Sequence, residues 1–154
     1  MAIHFRSTRQ AELVSVLKVK SARLARLLSS YGEVIAIGSP CWSEAAFARI
    51  GEAYLNFNKG LLDAPMPRGL DAEQGELYRS TLEARALPFE DKAVEAFEKS
   101  IAISQNTGIY SDWVIKAQDL LREYQPDAYG ELHRTRFVES GTRRLAPELP
   151  KGGP

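Results

Sequence analysis

Between Leu13 and Leu61 bulky apolar residues return at spacings of three and four, or their sum, and one break interrupts them, at Gly38-Ser39-Pro40. Leu13, Leu17, Leu24, Leu28, Tyr31 and Ile35 fall on one face of a helix, as do Phe47, Ile50, Tyr54, Phe57 and Leu61. The break has the residues of a helix end followed by a helix start. Gly suits the position just past a helix, Ser the N-cap, and Pro the first turn. A chain so patterned must bury two apolar stripes against each other, which makes an antiparallel helix pair the base of the fold. Lys20 interrupts the first stripe, and its methylene stem can lie along an apolar surface.

The same reading predicts five helices, over about 7–37, 40–64, 71–87, 88–106 and from 111 to about 125. Pro65 and Pro67 stop the second. Asp71 caps the third, with Gln74 three residues on as capping-box partner. That helix carries Leu77, Tyr78, Leu82 and Leu87, and Pro88 kinks or ends it. The fourth carries Phe89, Ala93, Phe97, Ser100 and Ile101 and closes at Thr107-Gly108; the fifth carries Trp113, Ala117, Leu120 and Tyr124. No segment alternates as a strand does, so the expected class is all-α. Pro147, Pro150 and Pro154, with Gly152 and Gly153, leave residues 127–154 as an extended tail outside a helical domain of residues 1–126. That tail could serve as a linker or docking segment, with Leu145 and Leu149 as anchors.

Composition excludes several functions. The 154 residues carry 20 basic and 20 acidic side chains, so no overall charge draws the molecule to nucleic acid or an anionic membrane. The charge is unevenly placed. Residues 1–26 hold six basic residues against Glu12, while residues 27–130 hold 9 basic and 16 acidic. No run approaches the roughly 18–20 apolar residues of a membrane span, and the N-terminus lacks the apolar stretch of a signal peptide. The chain therefore reads as cytosolic or as a piece of a longer exported protein. The one cysteine, Cys41, excludes an internal disulfide and reads as a small packing residue.

Chemistry finds little support. His4 and His133 stand far apart with no second ligand at metal spacing, so neither a metal nor another cofactor is expected. There is no phosphate-cradling glycine loop. Glu90, Asp91, Glu95 and Glu98 crowd the fourth helix, but Lys92 and Lys99 intersperse them, and Glu95 and Lys99 form a favourable i,i+4 pair. Arg134, Arg136, Arg143 and Arg144 surround Phe137, yet Glu131, Glu139 and Glu148 dilute them, so nucleic acid is not an expected partner.

Two fragments resemble the tetratricopeptide repeat, a helix pair of about 34 residues. Phe47, Ile50, Gly51 and Tyr54 match the first helix of such a pair, and Ala93, Phe97 and Ser100 match the second. Gly51 then marks a close helix crossing beside Tyr54. The two halves stand farther apart than one repeat allows, with an insert at about 64–88. Tyr31-Gly32-Glu33-Val34, Gly38-Ser39-Pro40 with Trp42, and Arg49-Ile50-Gly51-Glu52-Ala53-Tyr54 extend the likeness. Together with Trp113 and Tyr124 to Tyr129 they resemble, over residues 22–129, the C-terminal part of tetratricopeptide proteins from myxobacteria and related deltaproteobacteria.

That resemblance implies a right-handed α-solenoid fragment. It implies a non-catalytic scaffold in a cell-envelope complex, of motility or polysaccharide machinery, in the periplasm if exported. The partners are then protein segments or neighbouring subunits, with self-association open. In such arrays the first helix of each pair lines a groove. Carried onto this chain, Ala48, Arg49, Glu52, Leu55, Asn56 and Lys59 form the partner-binding surface. The competing expectation is a small helical enzyme or ligand-binding bundle, with a site built from the acidic fourth helix, Tyr78 and Arg49; it requires a closed pocket with perturbed carboxylates.

Overall fold

A computed structural model describes residues 2–129, and the side chains of residues 15–129. Four helices follow one another: α1 (Ala2–Ala36), α2 (Pro40–Leu62), α3 (Ala72–Thr107) and α4 (Asp112–Tyr124), with no strand among the described residues. The local signals sit where they act. Gly38 adopts φ +77° between α1 and α2, Ser39 is the N-cap of α2, and Pro40 opens that helix. The Asp71 carboxylate accepts from the Gln74 amide at 2.8 Å, and the Gln74 side chain accepts in turn from the Asp71 N–H. Gly108 ends α3 in the left-handed conformation, and the Ser111 hydroxyl accepts from the Trp113 N–H at the start of α4.

The expected third and fourth helices are one. α3 runs for 36 residues with Pro88 inside it. A proline in a helix interior forfeits one backbone hydrogen bond and costs about 3 kcal/mol. Packing against α2 on both sides of Pro88 offsets that cost. Ala86 and Ala93 are buried, the Phe89 ring meets Phe57 at 4.5 Å and Tyr54 at 6.4 Å between centroids, and the buried Asn58 amide donates to the Ala86 carbonyl at 3.0 Å. Tertiary contact outweighs the local stop signal.

α2 is the centre of the fold. It packs along α3 most extensively, and touches α1 and α4 as well, while α1 meets no other described helix. Leu55, Ala93, Phe97, Ala117 and Leu121 form the core, and Phe97 fills the space that Gly51 leaves open. This corrects the expected stripe. Phe47, Ile50, Tyr54 and Phe57 are only half-buried and Leu61 alone of that stripe is buried, whereas Ala48, Gly51, Leu55 and Asn58 are buried beside it. Helices approach most closely where side chains are small, so the bulky row lies beside the contact line rather than on it.

The chain stays attached beyond residue 126. Tyr129 packs against the core, and its hydroxyl bonds the Glu98 carboxylate. The remainder of the expected tail, including Arg134, Arg136, Phe137, Arg143, Arg144, Leu145 and Leu149, lies outside the described residues, as does His133.

Candidate functional site

The expected partner-binding residues all sit on α2, and its neighbours divide them. Leu55 is in the core at 8% exposure, and Ala48 is buried as well, so neither can meet a partner. Both lie on the row of α2 that carries Gly51 against α3, and Leu55 also shares the core with Ala117 and Leu121 of α4. Arg49, Asn56 and Lys59 remain exposed, and Glu52 is half-buried.

Arg49 and Glu52 bind α2 to α4. The Arg49 guanidinium donates to Glu52 Oε2 at 2.8 Å, and Lys116 of α4 pairs with Glu52 Oε1. The same guanidinium lies 4.5 Å from the centre of the Trp113 ring, with the Lys116 ammonium 5.9 Å from it. Such cation–aromatic contacts are each worth about 0.5–1 kcal/mol at exposed sites. Burial alone would raise the Glu52 carboxyl, but the hydrogen bonds and charges of Lys116 and Arg49 outweigh it and hold the group below its ordinary value.

A channel follows from the helix wheel. Gly60 faces α1, where the Lys20 ammonium lies over it, and Ala46 shares that row two heptads earlier. Glu52 faces α4. Arg49 and Asn56, seven residues apart, fall between these directions, so α2 floors a strip of surface flanked by α1 and α4. Asn56 offers an amide there and Lys59 an ammonium at its α4 edge, just past Glu52 on the wheel, and both are exposed.

A buried carboxylate that the sequence reading passed over secures the opposite end. Glu44 is fully buried. Its Oε1 accepts from the Ser111 hydroxyl and its backbone carbonyl from Ser100 Oγ at 3.0 Å, while Oε2 has no hydrogen-bond partner. Burial pushes its carboxyl above the usual range, against the smaller opposing effect of the Ser111 bond. Ser111 is the N-cap of α4, so Glu44 fixes where α4 begins. The signal was present: Glu44, Ala48, Gly51, Leu55 and Asn58 recur at four, three, four and three.

The acidic stretch of α3 does not form a closed site. Asp91, Glu95 and Glu98 are exposed. Glu95 pairs with Lys99 at 2.6 Å, Glu98 with Tyr129, and Glu90 is half-buried. Tyr78 donates to the Pro65 carbonyl beyond the C-terminus of α2, while Arg49 stacks on Trp113 in its N-terminal half. The three components of the bundle site therefore stand apart. Cys41 is exposed, not packed. Among the described residues no three His, Cys, Asp or Glu side chains gather as metal ligands, and no helix is long and apolar enough to cross a membrane. No family model, curated protein or solved structure matches the chain.

Proposed function

We propose that the chain is a non-catalytic protein-interaction scaffold of the tetratricopeptide type, holding an extended segment of a partner in the channel on α2 between α1 and α4. The observation that carries this reading is the disposition of Asn56 and Lys59, exposed on a helix whose other faces are taken by three neighbours. An amide and an ammonium on a fixed backbone suit a peptide main chain and a carboxylate. Exposed Ile37 and Trp42, 77% and 68% accessible at the α1–α2 turn, add apolar area for contact.

The repeat assignment draws support from Gly51, whose missing Cβ admits Phe97, and from Ala93, Phe97 and Ser100, all buried on one face of α3. α2 and α3 together span residues 40–107, twice the roughly 34 residues of one repeat; on this reading the pair is an expanded unit of a right-handed solenoid. A place in a cell-envelope complex follows from the resemblance over residues 22–129.

The test is site-specific photo-crosslinking in cells that express the chain. A photoreactive residue at position 56 should capture a discrete partner, and Lys59→Glu should abolish the adduct. A probe at Glu95, exposed on α3, should capture none. Equal capture at both positions, or no adduct at 56, would overturn the assignment of the channel.

A further inference from the structure

α1 leaves most of its surface without a neighbour, since it touches α2 alone. Along its outer side Val16, Val19, Arg23 and Arg26 recur at three, four and three, which sets them in one row. All four are exposed, Val16 at 52% and Val19 at 50%. The row is apolar at one end and basic at the other, within a segment that holds six basic residues against one acidic.

A row of the opposite sign lies on α3. α4 has only 13 residues and runs beside the C-terminal half of α3, ending where Tyr124 feels the charge of Glu90. Ahead of that point the flank of α3 is uncovered. Glu76, Ser80, Glu83, Leu87 and Glu90 recur there at four, three, four and three, with Leu87 56% exposed. Arg79, three residues after Glu76 and four before Glu83, borders the row and offsets part of its charge. The ion pairs among described side chains involve none of Arg23, Arg26, Glu76 or Glu83.

The two rows have the same pitch and complementary charge, and in an antiparallel pairing that sets Arg23 by Glu83, Val19 falls by Leu87, which is the form of a helix–helix interface. α1 and α3 flank α2 without touching each other, so within one molecule the rows do not meet. We propose that a second copy of this chain docks the Val16–Arg26 row of its α1 against the Glu76–Glu90 row of α3. This proposal rests on the reading of the chain as an interaction module and names one of its partners. The two surfaces differ, so the contact is head-to-tail and leaves a free row at each end for further copies.

Sedimentation velocity of the purified full chain tests it. At low salt the mean mass should rise with concentration. In about 1 M salt, where the Debye length is about 3 Å, it should return to that of the monomer. Two or three exposed ion pairs correspond to roughly a tenfold change in affinity. Arg23→Glu with Arg26→Glu, and separately Glu76→Lys with Glu83→Lys, should each give monomers. Mixed together the two variants should associate again, because each then meets the opposite charge. All four positions face solvent, and unchanged far-ultraviolet circular dichroism confirms that both variants fold. A monomer at every concentration, association indifferent to the charge reversals, or a mixture that stays monomeric would overturn the proposal. Crosslinking at position 56 in the charge-reversed variants separates the two readings: a partner still captured there leaves the channel standing whatever happens to self-association.

Discussion

Gly51 offers the sharpest test of the core. A Cβ placed on it would lie 2.5 Å from Phe97 Cε1 and 2.7 Å from Cδ1 and Cζ. Carbon atoms rest about 3.5–4.0 Å apart, so the ring would have to retreat by roughly 1 Å. It has nowhere to go: Phe97 is 1% exposed and lies in the core with Ala93, Ala117 and Leu121, none of them accessible. Overpacking of this kind costs about 1–3 kcal/mol. Alanine also favours a helix over glycine by about 1 kcal/mol, which masks part of the loss. Gly32 supplies the control, since it is helical and a Cβ there meets nothing within 4 Å. Gly32→Ala should therefore stabilise by up to about 1 kcal/mol, and Gly51→Ala should fall below it by about 1–3 kcal/mol. Urea denaturation followed by circular dichroism measures both. In a Phe97→Leu background, where the ring is gone, the two alanines should converge. Equal stabilisation by both in the native background would refute the close approach of α2 and α3 at Gly51.

Glu44 makes stability depend on pH in a particular direction. Its folded carboxyl titrates above the ordinary 4.5 because it is buried, so the fold binds this proton more tightly than the unfolded chain does. Stability should rise as pH falls from the folded value toward about 4.5, and Glu44→Gln should raise the urea midpoint at neutral pH and flatten that slope. The lowered carboxyl of Glu52 acts the other way and in a separate window, its contribution fading as pH falls below about 4.5. An unchanged slope in Glu44→Gln would remove Glu44 as the source. Asn58→Ala should cost roughly 1–3 kcal/mol by removing the buried donor to Ala86; a loss below about 0.5 kcal/mol would show the bond to be dispensable.

Helix ends were readable because each depends on a few adjacent residues. Gly38 and Pro40, the Asp71–Gln74 box and Gly108 carry their own geometry and act as the sequence suggests, while Ser39 holds the N-cap position without a side-chain capping bond. The continuity of α3 through Pro88 was not readable, since what outweighs the proline comes from Asn58, Tyr54 and Phe57 on another helix. Burial misled for a related reason. The eye follows Phe47, Tyr54 and Phe57, but the buried positions include Ala48, Gly51, Ala93 and Ala117, whose small side chains give a weak apolar signal. Leu55 therefore reads as a surface residue from the sequence, and Glu44, on the same row, draws no notice. Asn56 and Lys59 are exposed; that Arg49 and Glu52 are tied to Trp113 and Lys116 depends on how α4 packs, which no local pattern encodes.

The unbroken α3 also has a mechanical consequence. From Ala72 to Pro88 the helix is a rod of roughly 24 Å, at 1.5 Å per residue, and its first turns lie beyond the end of α2, beside the loop that carries Pro65 and Met66. Proline is where helices bend, commonly by more than about 20°. A hinge of that size at Pro88 would swing the tip of the rod through about 8 Å, while Phe97 and everything beyond it stay seated on α2. Force applied to the N-terminal half of α3 would therefore fall first on the buried bond from Asn58 to the Ala86 carbonyl, just ahead of Pro88, before it reached the core as shear.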